Sequence, residues 1–172
     1  MKIINLFGGP GVGKSTTAAG IFFEMKRAGY LVELVTEYAK ELVWQNDTYT
    51  LDNQLYILAK QENRLRKLVG KVDYVVTDCP LLMAEFYLKR GAVDASAVRS
   101  VCLDMFNTYD NINYFLVRDK KYVQHGRLHT EAEARGCCIE IEAMCNTLWN
   151  ISYTKIVGDS LAHTAIVEDI NL

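Results

Sequence analysis

Five short runs rich in apolar residues recur along the chain. The first, residues 3–7, has Asn5 as its only polar position. An apolar run with little alternation is typical of a strand buried on both faces, as in a parallel sheet. We therefore predict strands over residues 3–7, 31–35, 72–77, 112–117 and 153–157.

Between these runs, apolar residues recur with the spacing of an α-helix. Thr130 and Glu133 have the spacing of a capping box at the start of one such segment. We predict helices over residues 14–28, 37–44, 51–69, 81–90, 95–109, 130–150 and 160–172. Within the third of these, the predicted apolar stripe is Leu51, Leu55, Leu58, Leu65 and Val69.

Strands that alternate with helices indicate βαβ units and a parallel sheet covered on both faces. No repeat, linker or low-complexity segment interrupts the pattern. A length of 172 residues fits one domain. We therefore expect a single domain over residues 1–172.

The composition is that of an ordinary globular domain, with 50% hydrophobic and 23% charged residues. The net charge of −2 argues against general attraction to nucleic acid, while a local basic patch stays an open alternative. Five cysteines, without zinc-site spacing, indicate reduced thiols and a cytoplasmic protein. No apolar run approaches the roughly 20 residues of a membrane span, so we expect no membrane partner.

The segment after the first strand carries the strongest chemical signal. Residues 8–15 read Gly-Gly-Pro-Gly-Val-Gly-Lys-Ser, which matches the P-loop pattern in full. Glycines let successive N–H groups point at phosphate oxygens, and the following helix adds its positive dipole end. Lys14 can reach the β- and γ-phosphates, and Ser15 can hold Mg²⁺. The pattern predicts ATP and Mg²⁺ as cofactors, bound by Gly9, Pro10, Gly11, Val12, Gly13, Lys14, Ser15 and Thr16.

Asp78 ends the third strand, at the sheet edge where parallel sheets bind ligands. It can orient Mg²⁺ together with Ser15 or act as a general base, and the alternative is a cap for the helix after Pro80. Cys79 stands where motor ATPases usually carry Glu, and the Asn-Lys-x-Asp signature for guanine is missing. These absences favour phosphoryl transfer to a hydroxyl over hydrolysis.

Glu37 follows the second strand and should project toward the same edge. A carboxylate there can take the proton of an acceptor hydroxyl during in-line transfer. The alternative is an acid that complements the dipole of the next helix. We predict catalytic roles for Lys14, Asp78 and Glu37, and which carboxylate is the base stays open.

Basic residues concentrate after the fourth strand. Four of them fall within residues 118–127, and Arg135 follows in the next helix. Such a segment can close over a triphosphate, where Arg118 and Arg127 would neutralise charge on the transferred group. The alternative is a solvated charged loop. We predict a lid over about residues 118–135.

Candidate acceptor contacts lie near Glu37 and on the helix over residues 51–69. Gln54 and Gln61 are seven apart and so share one helix face, from which an amide can read a base edge. The alternative is a solvated polar face. Tyr38 could stack on a base, with core packing as its alternative. The predicted substrate residues are Glu37, Tyr38, Gln54 and Gln61.

Several of these segments together resemble a group of small P-loop kinases common in bacteriophages, related to thymidylate kinases and to the nicotinamide riboside kinase domain. The resemblance spans residues 2 to about 169. It is carried by residues 8–15, 36–39 (Thr-Glu-Tyr-Ala), 77–80 (Thr-Asp-Cys-Pro) and 118–134. Within the group the chain is most similar to 5-hydroxymethyluracil DNA kinases, which phosphorylate the hydroxymethyl group of 5-hydroxymethyl-deoxyuridine in DNA.

The resemblance implies Lys14 and Ser15 at the phosphates and Mg²⁺, with Asp78 or Glu37 as base. The chain departs from thymidylate kinases at Cys79, where those enzymes usually carry an Arg that grips a monophosphate. A base in DNA would have to flip into the site. The local DNA-facing stripe would then be Lys60, Arg64, Arg66, Lys67 and Lys71, unless these are solvated helix-end cations.

We therefore expect an α/β P-loop NTPase fold whose five-stranded parallel sheet has the order 2-3-1-4-5, with helices on both faces. The expected activity is ATP-dependent phosphorylation of 5-hydroxymethyl-deoxyuridine in phage DNA, in the host cytoplasm. The alternatives are a kinase of free deoxynucleosides or nucleoside monophosphates, and a nucleotide switch ATPase. Preference between ATP and GTP and the oligomeric state, including a homodimer, stay open.

Overall fold

A computed structural model describes residues 1–88, 94–119, 121–125 and 129–170. Its strands pair in one sheet, in the order β2-β3-β1-β4-β5, and all four pairings are parallel. The predicted strand order is therefore confirmed. The strands are β1 (Lys2–Phe7), β2 (Val32–Val35), β3 (Tyr74–Thr77), β4 (Asp110–Val117) and β5 (Thr154–Val157).

Helices connect the strands and follow the last one. The predicted capping box at the start of the seventh helix is confirmed, since the Thr130 N–H donates to Glu133 Oε2 at 2.7 Å and the Glu133 N–H donates to Thr130 Oγ1 at 3.3 Å. In the described part of the chain, no helix has the length and apolar content to span a membrane. The helices are α1 (Lys14–Arg27), α2 (Tyr38–Gln45), α3 (Thr48–Leu51), α4 (Gln54–Arg66), α5 (Met83–Phe86), α6 (Ala95–Asn107), α7 (Glu131–Thr147) and α8 (Ala162–Asp169).

Each face of the sheet has its own hydrophobic core. On one face, Ile21 of α1 and Ile166 of α8 pack over Ile4 of the central strand. On the other face, α4 to α7 supply the core, and Phe106 packs edge-on against Phe7 with 6.5 Å between ring centroids. Both faces of the sheet are thus covered by helices, as predicted.

Two of the predicted helices were wrong in extent. The segment 51–69 is not one helix, because Asn53 accepts a hydrogen bond from the Tyr56 N–H at 3.1 Å and starts α4 afresh after α3. Leu55 and Val69 of the predicted stripe are exposed. The face of α4 that is buried consists of Gln54, Ile57, Leu58, Gln61, Glu62 and Leu65. The segment 81–90 contains, in its described part, only the four-residue α5.

Candidate active site

The P-loop joins β1 to α1 and is shaped by close contacts on both sides. Gly11 and Gly13 have φ values of 76° and 110°, in the left-handed region that glycine adopts without steric penalty. A Cβ on Gly9 would lie 2.5 Å from the Sγ of Cys138 in α7. The Val12 side chain is fully buried and anchors the loop in the core. The loop can therefore offer its backbone to a ligand.

Lys14 lies folded against this loop. Its Nζ donates to the carbonyl oxygens of Gly8 at 2.7 Å and of Gly9 at 3.1 Å. An ammonium held in this way keeps its positive charge at the mouth of the P-loop. Because a Lys side chain has several rotatable bonds, the same Nζ can turn to phosphate oxygens when a nucleotide arrives.

Asp78 forms the centre of a small polar cluster. Its Oδ2 accepts from the Ser15 hydroxyl at 2.5 Å, and its Oδ1 accepts from the Glu37 backbone N–H at 3.0 Å. The side chain is buried and does not cap the next helix, α5, which starts after Leu82 without a side-chain cap. The capping alternative for Asp78 is therefore wrong. Hydroxyl and carboxylate oxygens are the hard ligands that Mg²⁺ prefers, so this pair fits the ion.

Glu37 stands immediately before α2, and its carboxylate makes no capping hydrogen bond to that helix. Within the described residues the carboxylate accepts no hydrogen bond at all, although its side chain lines the central cavity. Burial raises the pKa of Glu37 above the ordinary 4.5, and the charge of Asp78 raises it further, while Lys14 and Lys40 lower it. A carboxylate with a raised pKa and no partner is suited to accept a proton.

A cavity of about 510 Å³ opens between the P-loop, α2, α4 and α5. Its volume lies within the range typical of small-molecule sites. Apolar and aromatic side chains form much of its wall, including Ile57, Leu58, Met83 and Tyr87. The predicted site residues that the cavity brings together are Pro10, Gly11, Gly13, Lys14, Ser15, Thr16, Glu37, Gln54, Gln61 and Asp78.

The two glutamines are buried parts of the cavity wall, so the solvated-face alternative is wrong. Gln61 accepts from the Tyr38 N–H at 3.2 Å and donates to the Thr36 carbonyl oxygen at 3.3 Å. Its amide therefore fixes the link between β2 and α2. Gln54 donates to the Leu51 carbonyl oxygen at 2.8 Å, and its own amide oxygen accepts no hydrogen bond from any described residue. Gln54 is thus better placed than Gln61 to contact an acceptor.

Tyr38 contacts the site residue Gln61 through its backbone N–H, and its ring does not line the cavity. The ring packs against Tyr56, with 6.0 Å between centroids, and the Arg64 guanidinium lies 5.1 Å from the Tyr38 ring centroid. The Tyr38 ring is therefore set apart from the cavity, while the Tyr38 N–H still contacts Gln61.

The predicted lid contacts the site at several points. Arg118 Nη2 donates to the Pro10 carbonyl oxygen at 2.6 Å. The His125 ring packs on Trp44 and the His129 ring on Tyr87, with centroid separations of 6.0 and 6.3 Å. The predicted lid thus contacts two of the aromatic residues that line the cavity. Arg127 lies outside the described residues, as do Lys120 and Gly126.

Several further residues line the cavity without having been predicted as site residues. Those with aromatic or imidazole rings are Trp44, Tyr87, His125 and His129. Tyr87 directly follows the short α5 and belongs to no recognisable motif. Its place in the cavity wall therefore depends on how α5 packs. The histidines could have been suspected from their place in the lid. Cys79 also lines the wall, and burial raises its thiol pKa well above the ordinary range, so it contributes a neutral group.

Most of the predicted basic stripe on α4 is engaged in local contacts. Arg64 pairs with Glu41 at 2.5 Å, and Arg66 pairs with Glu62 at 2.8 Å. Lys60 lies 5.1 Å from the centroid of the Tyr56 ring. Two of these three cations, Arg64 and Arg66, are therefore paired with carboxylates.

Comparison with known proteins agrees with this architecture. No curated protein matches the chain. The solved structures of similar fold include two of a deoxyadenosine kinase from M. mycoides. The structure with bound dATP is 18% identical in sequence, with a TM-score of 0.68 and full coverage of both chains. The structure with dCMP and a flexible dCDP is 19% identical, with a TM-score of 0.60 and coverage of 99% of this chain and 98% of that one.

The fold is therefore that of a P-loop NTPase, as predicted. Identities this low show a shared fold and leave substrate and activity to be argued from the site. The sequence profile named AAA_28, described as an AAA domain, matches residues 3–162. Because the match spans nearly the whole chain, the protein belongs to the AAA_28 family of AAA domains.

Proposed function

We propose that the protein is an ATP- and Mg²⁺-dependent kinase that transfers the γ-phosphoryl group to a hydroxyl of a nucleoside-type acceptor. The observation that carries this proposal is the position of Glu37. Its unpartnered carboxylate faces the same cavity as Lys14, Ser15 and Asp78. Beyond the P-loop the cavity extends past Glu37 to the apolar and aromatic side chains of α4 and α5, which a water nucleophile would not need and an organic acceptor could contact.

The residues divide into a donor half and an acceptor half. Residues 9–16 would cradle the triphosphate, and Ser15 and Asp78 would hold Mg²⁺, which supplies charge neutralisation on the phosphate oxygens when bound. Glu37 would take the proton as the acceptor oxygen bonds to the γ-phosphorus and the bond from that phosphorus to ADP breaks. Lys14 and Arg118 would balance the negative charge on the transferred group.

For the acceptor we favour a free deoxynucleoside or its monophosphate. Two of the solved structures of similar fold are those of a deoxyadenosine kinase, one with dATP and one with dCMP and dCDP. The engaged cations of α4, Arg64 and Arg66, also favour a small acceptor over a long DNA backbone. The walls supplied by Gln54 and Tyr87 offer one amide oxygen and one aromatic ring for a base.

The second candidate is 5-hydroxymethyl-deoxyuridine in DNA, as the sequence resemblance implies. One observation favours a polymer: Trp44 is 57% exposed at the cavity and could stack on a base beside a flipped one. A nucleotide switch without acceptor is the third candidate, and it leaves the part of the cavity between α4 and α5 without a role.

One transfer experiment separates the three. The protein is incubated with Mg²⁺, γ-labelled ATP and, in parallel, free deoxynucleosides, nucleoside monophosphates, DNA containing 5-hydroxymethyluracil, or no acceptor. Label in a free acceptor supports the favoured function, and label only in DNA supports the second candidate. Phosphate release that no acceptor changes contradicts both. Glu37→Gln is the matched variant, because it keeps the side-chain shape and removes the base.

A further inference from the structure

Arg118 presents a guanidinium to the P-loop with much of its hydrogen-bonding capacity unused. Its Nη2 donates to the Pro10 carbonyl oxygen, while Nε and Nη1 are buried and have no hydrogen-bond partner within the described structure. Buried donors without partners are costly, and those of a charged group most of all. Their cost is offset when a ligand rich in acceptor oxygens, such as a phosphate chain, enters the P-loop.

Tyr122 holds this guanidinium in place. The Arg118 Cζ lies 5.2 Å from the centroid of the Tyr122 ring, within the range of a cation–π contact. The ring also rests on the P-loop, since a Cβ on Gly11 would lie 2.9 Å from its Cδ2 and Cε2 atoms. The Tyr122 hydroxyl donates to the His129 carbonyl oxygen. The ring is therefore fixed between the P-loop, the lid and Arg118.

The same contact with Gly11 orients Arg118. A Cβ on Gly11 would lie 3.1 Å from Arg118 Nη1, one of the two unpartnered nitrogens. Nη1 thus lies against the backbone that is predicted to cradle the triphosphate. Only a residue without a side chain at position 11 lets both Tyr122 and Arg118 approach the loop so closely.

We infer that Tyr122 is a positioning residue, which sets the plane of the Arg118 guanidinium for the phosphates of the bound nucleotide. The inference rests on the donor half of the proposed function. An Arg that is already ordered loses less conformational freedom when it binds, so the stacked ring strengthens nucleotide binding without touching a reacting atom. The effect of Tyr122 must then pass through Arg118.

A double-mutant cycle on nucleotide affinity tests this. The dissociation constant of a non-hydrolysable ATP analogue with Mg²⁺ is measured calorimetrically for wild type, Tyr122→Leu, Arg118→Ala and the double variant. We expect Tyr122→Leu to weaken binding about five- to tenfold, the size of a partly desolvated cation–π contact. We expect the double variant to bind as Arg118→Ala does, because Tyr122 then has no guanidinium to orient.

Conservative variants separate the ring from the hydroxyl. Tyr122→Phe and Tyr122→Trp keep an aromatic face and should bind within about twofold of wild type, since the stacking energy is retained. Tyr49→Leu replaces a tyrosine that is 91% exposed on α3 and should leave the affinity unchanged. If Tyr122→Phe lost as much affinity for the analogue as Tyr122→Leu, the effect would come from the hydroxyl contact with His129, and the stacking role would be overturned.

Additive losses in the double variant would also overturn the inference, because Tyr122 would then act independently of Arg118. The measurement needs no acceptor. If the wild type binds the analogue but phosphorylates no acceptor, the proposed function is contradicted. The binding cycle would still decide whether Tyr122 acts through Arg118. If Tyr122→Leu does not fold, Tyr122→Met replaces it as the non-aromatic variant, and the same cycle with Arg118→Ala decides the role.

Discussion

The Ser15 hydroxyl and the Asp78 carboxylate are directly hydrogen-bonded, with 2.5 Å between Ser15 Oγ and Asp78 Oδ2. The two residues are 63 positions apart in the chain. They meet because β1 and β3 are parallel neighbours in the sheet, with Asn5 opposite Thr77. The segments that follow the two strands therefore start at the same edge of the sheet. The topology of the sheet thus brings together the two oxygen donors that we propose as ligands of Mg²⁺.

Asp78→Asn should weaken the use of Mg²⁺ and preserve the fold. The amide keeps one oxygen to accept the Glu37 N–H but removes the charge beside Ser15. We expect transfer activity to fall roughly 10- to 100-fold, the usual loss when a group that orients a metal ligand is changed. The measurement is the Mg²⁺ concentration that gives half-maximal rate, which should rise. An unchanged Mg²⁺ requirement would contradict the role assigned to Asp78.

Glu37→Gln should remove the base and spare nucleotide binding. The turnover number is expected to fall on the order of 10²- to 10⁴-fold, as for other positioned general bases. The affinity for the Mg–ATP analogue should change little, because Glu37 faces the acceptor half of the cavity. Parallel transfer assays and calorimetry measure the two quantities. A loss of affinity equal to the loss of rate would place Glu37 in the donor site instead.

The raised pKa of Glu37 predicts opposite effects of pH on activity and on stability. The base must be ionised, so kcat/KM should rise with pH through a pKa above 4.5. Burial favours the protonated form of Glu37, so its pKa is higher in the folded than in the unfolded state. Its contribution to stability is therefore greatest below the pKa of the unfolded state. That contribution is lost as the pH rises through the pKa of the folded state. The melting temperature of Glu37→Gln should therefore exceed that of wild type at pH 7, with a smaller difference at pH 4. Equal differences at both values would contradict the burial effect.

Lys14→Ala should strongly lower the rate of transfer, because it removes a charged donor from the nucleotide half of the site. Its Nζ is held at the P-loop by the Gly8 and Gly9 carbonyl oxygens, so the charge is in place before the nucleotide arrives. Loss of one such charged donor is expected to lower the rate on the order of 100- to 1,000-fold. Calorimetry should show weaker binding of the Mg–ATP analogue, and Lys14→Arg is the matched control for charge. Near wild-type transfer by Lys14→Ala would contradict the P-loop assignment.

The sheet and much of the site follow from local sequence signals. Uninterrupted apolar runs identify buried parallel strands. The carboxyl ends of such strands lie at the same edge of the sheet. For this reason Glu37, Asp78 and Ser15 could be predicted to lie together, as they do in the cavity wall. The break between α3 and α4 was missed because the leucine spacing continues across it. The local signal was Asn53, which caps α4 through the Tyr56 N–H and outweighs the apolar periodicity.

The orientation of side chains was the harder part. Tyr38 follows Glu37 directly, yet the start of α2 turns the Tyr38 ring toward Tyr56 while Glu37 faces the cavity. Helix rotation relative to a neighbouring helix depends on tertiary packing, which no local pattern encodes. Tyr122 was missed as a site residue for the same reason: its contact with Gly11 joins two loops far apart in the chain.

The approach of α1 to α8 depends on the missing side chain at Gly20. A Cβ on Gly20 would lie 2.5 Å from the Cγ of His163, so Gly20→Ala must push the two helices apart. We expect a loss of about 1–3 kcal/mol in the free energy of unfolding, as for other overpacked contacts. The matched control is Gly136→Ala in α7, where a Cβ meets no atom within 4 Å. That variant should gain about 0.5–1 kcal/mol from helix propensity. Chemical denaturation of both variants measures the difference, and equal effects would contradict a close contact at Gly20.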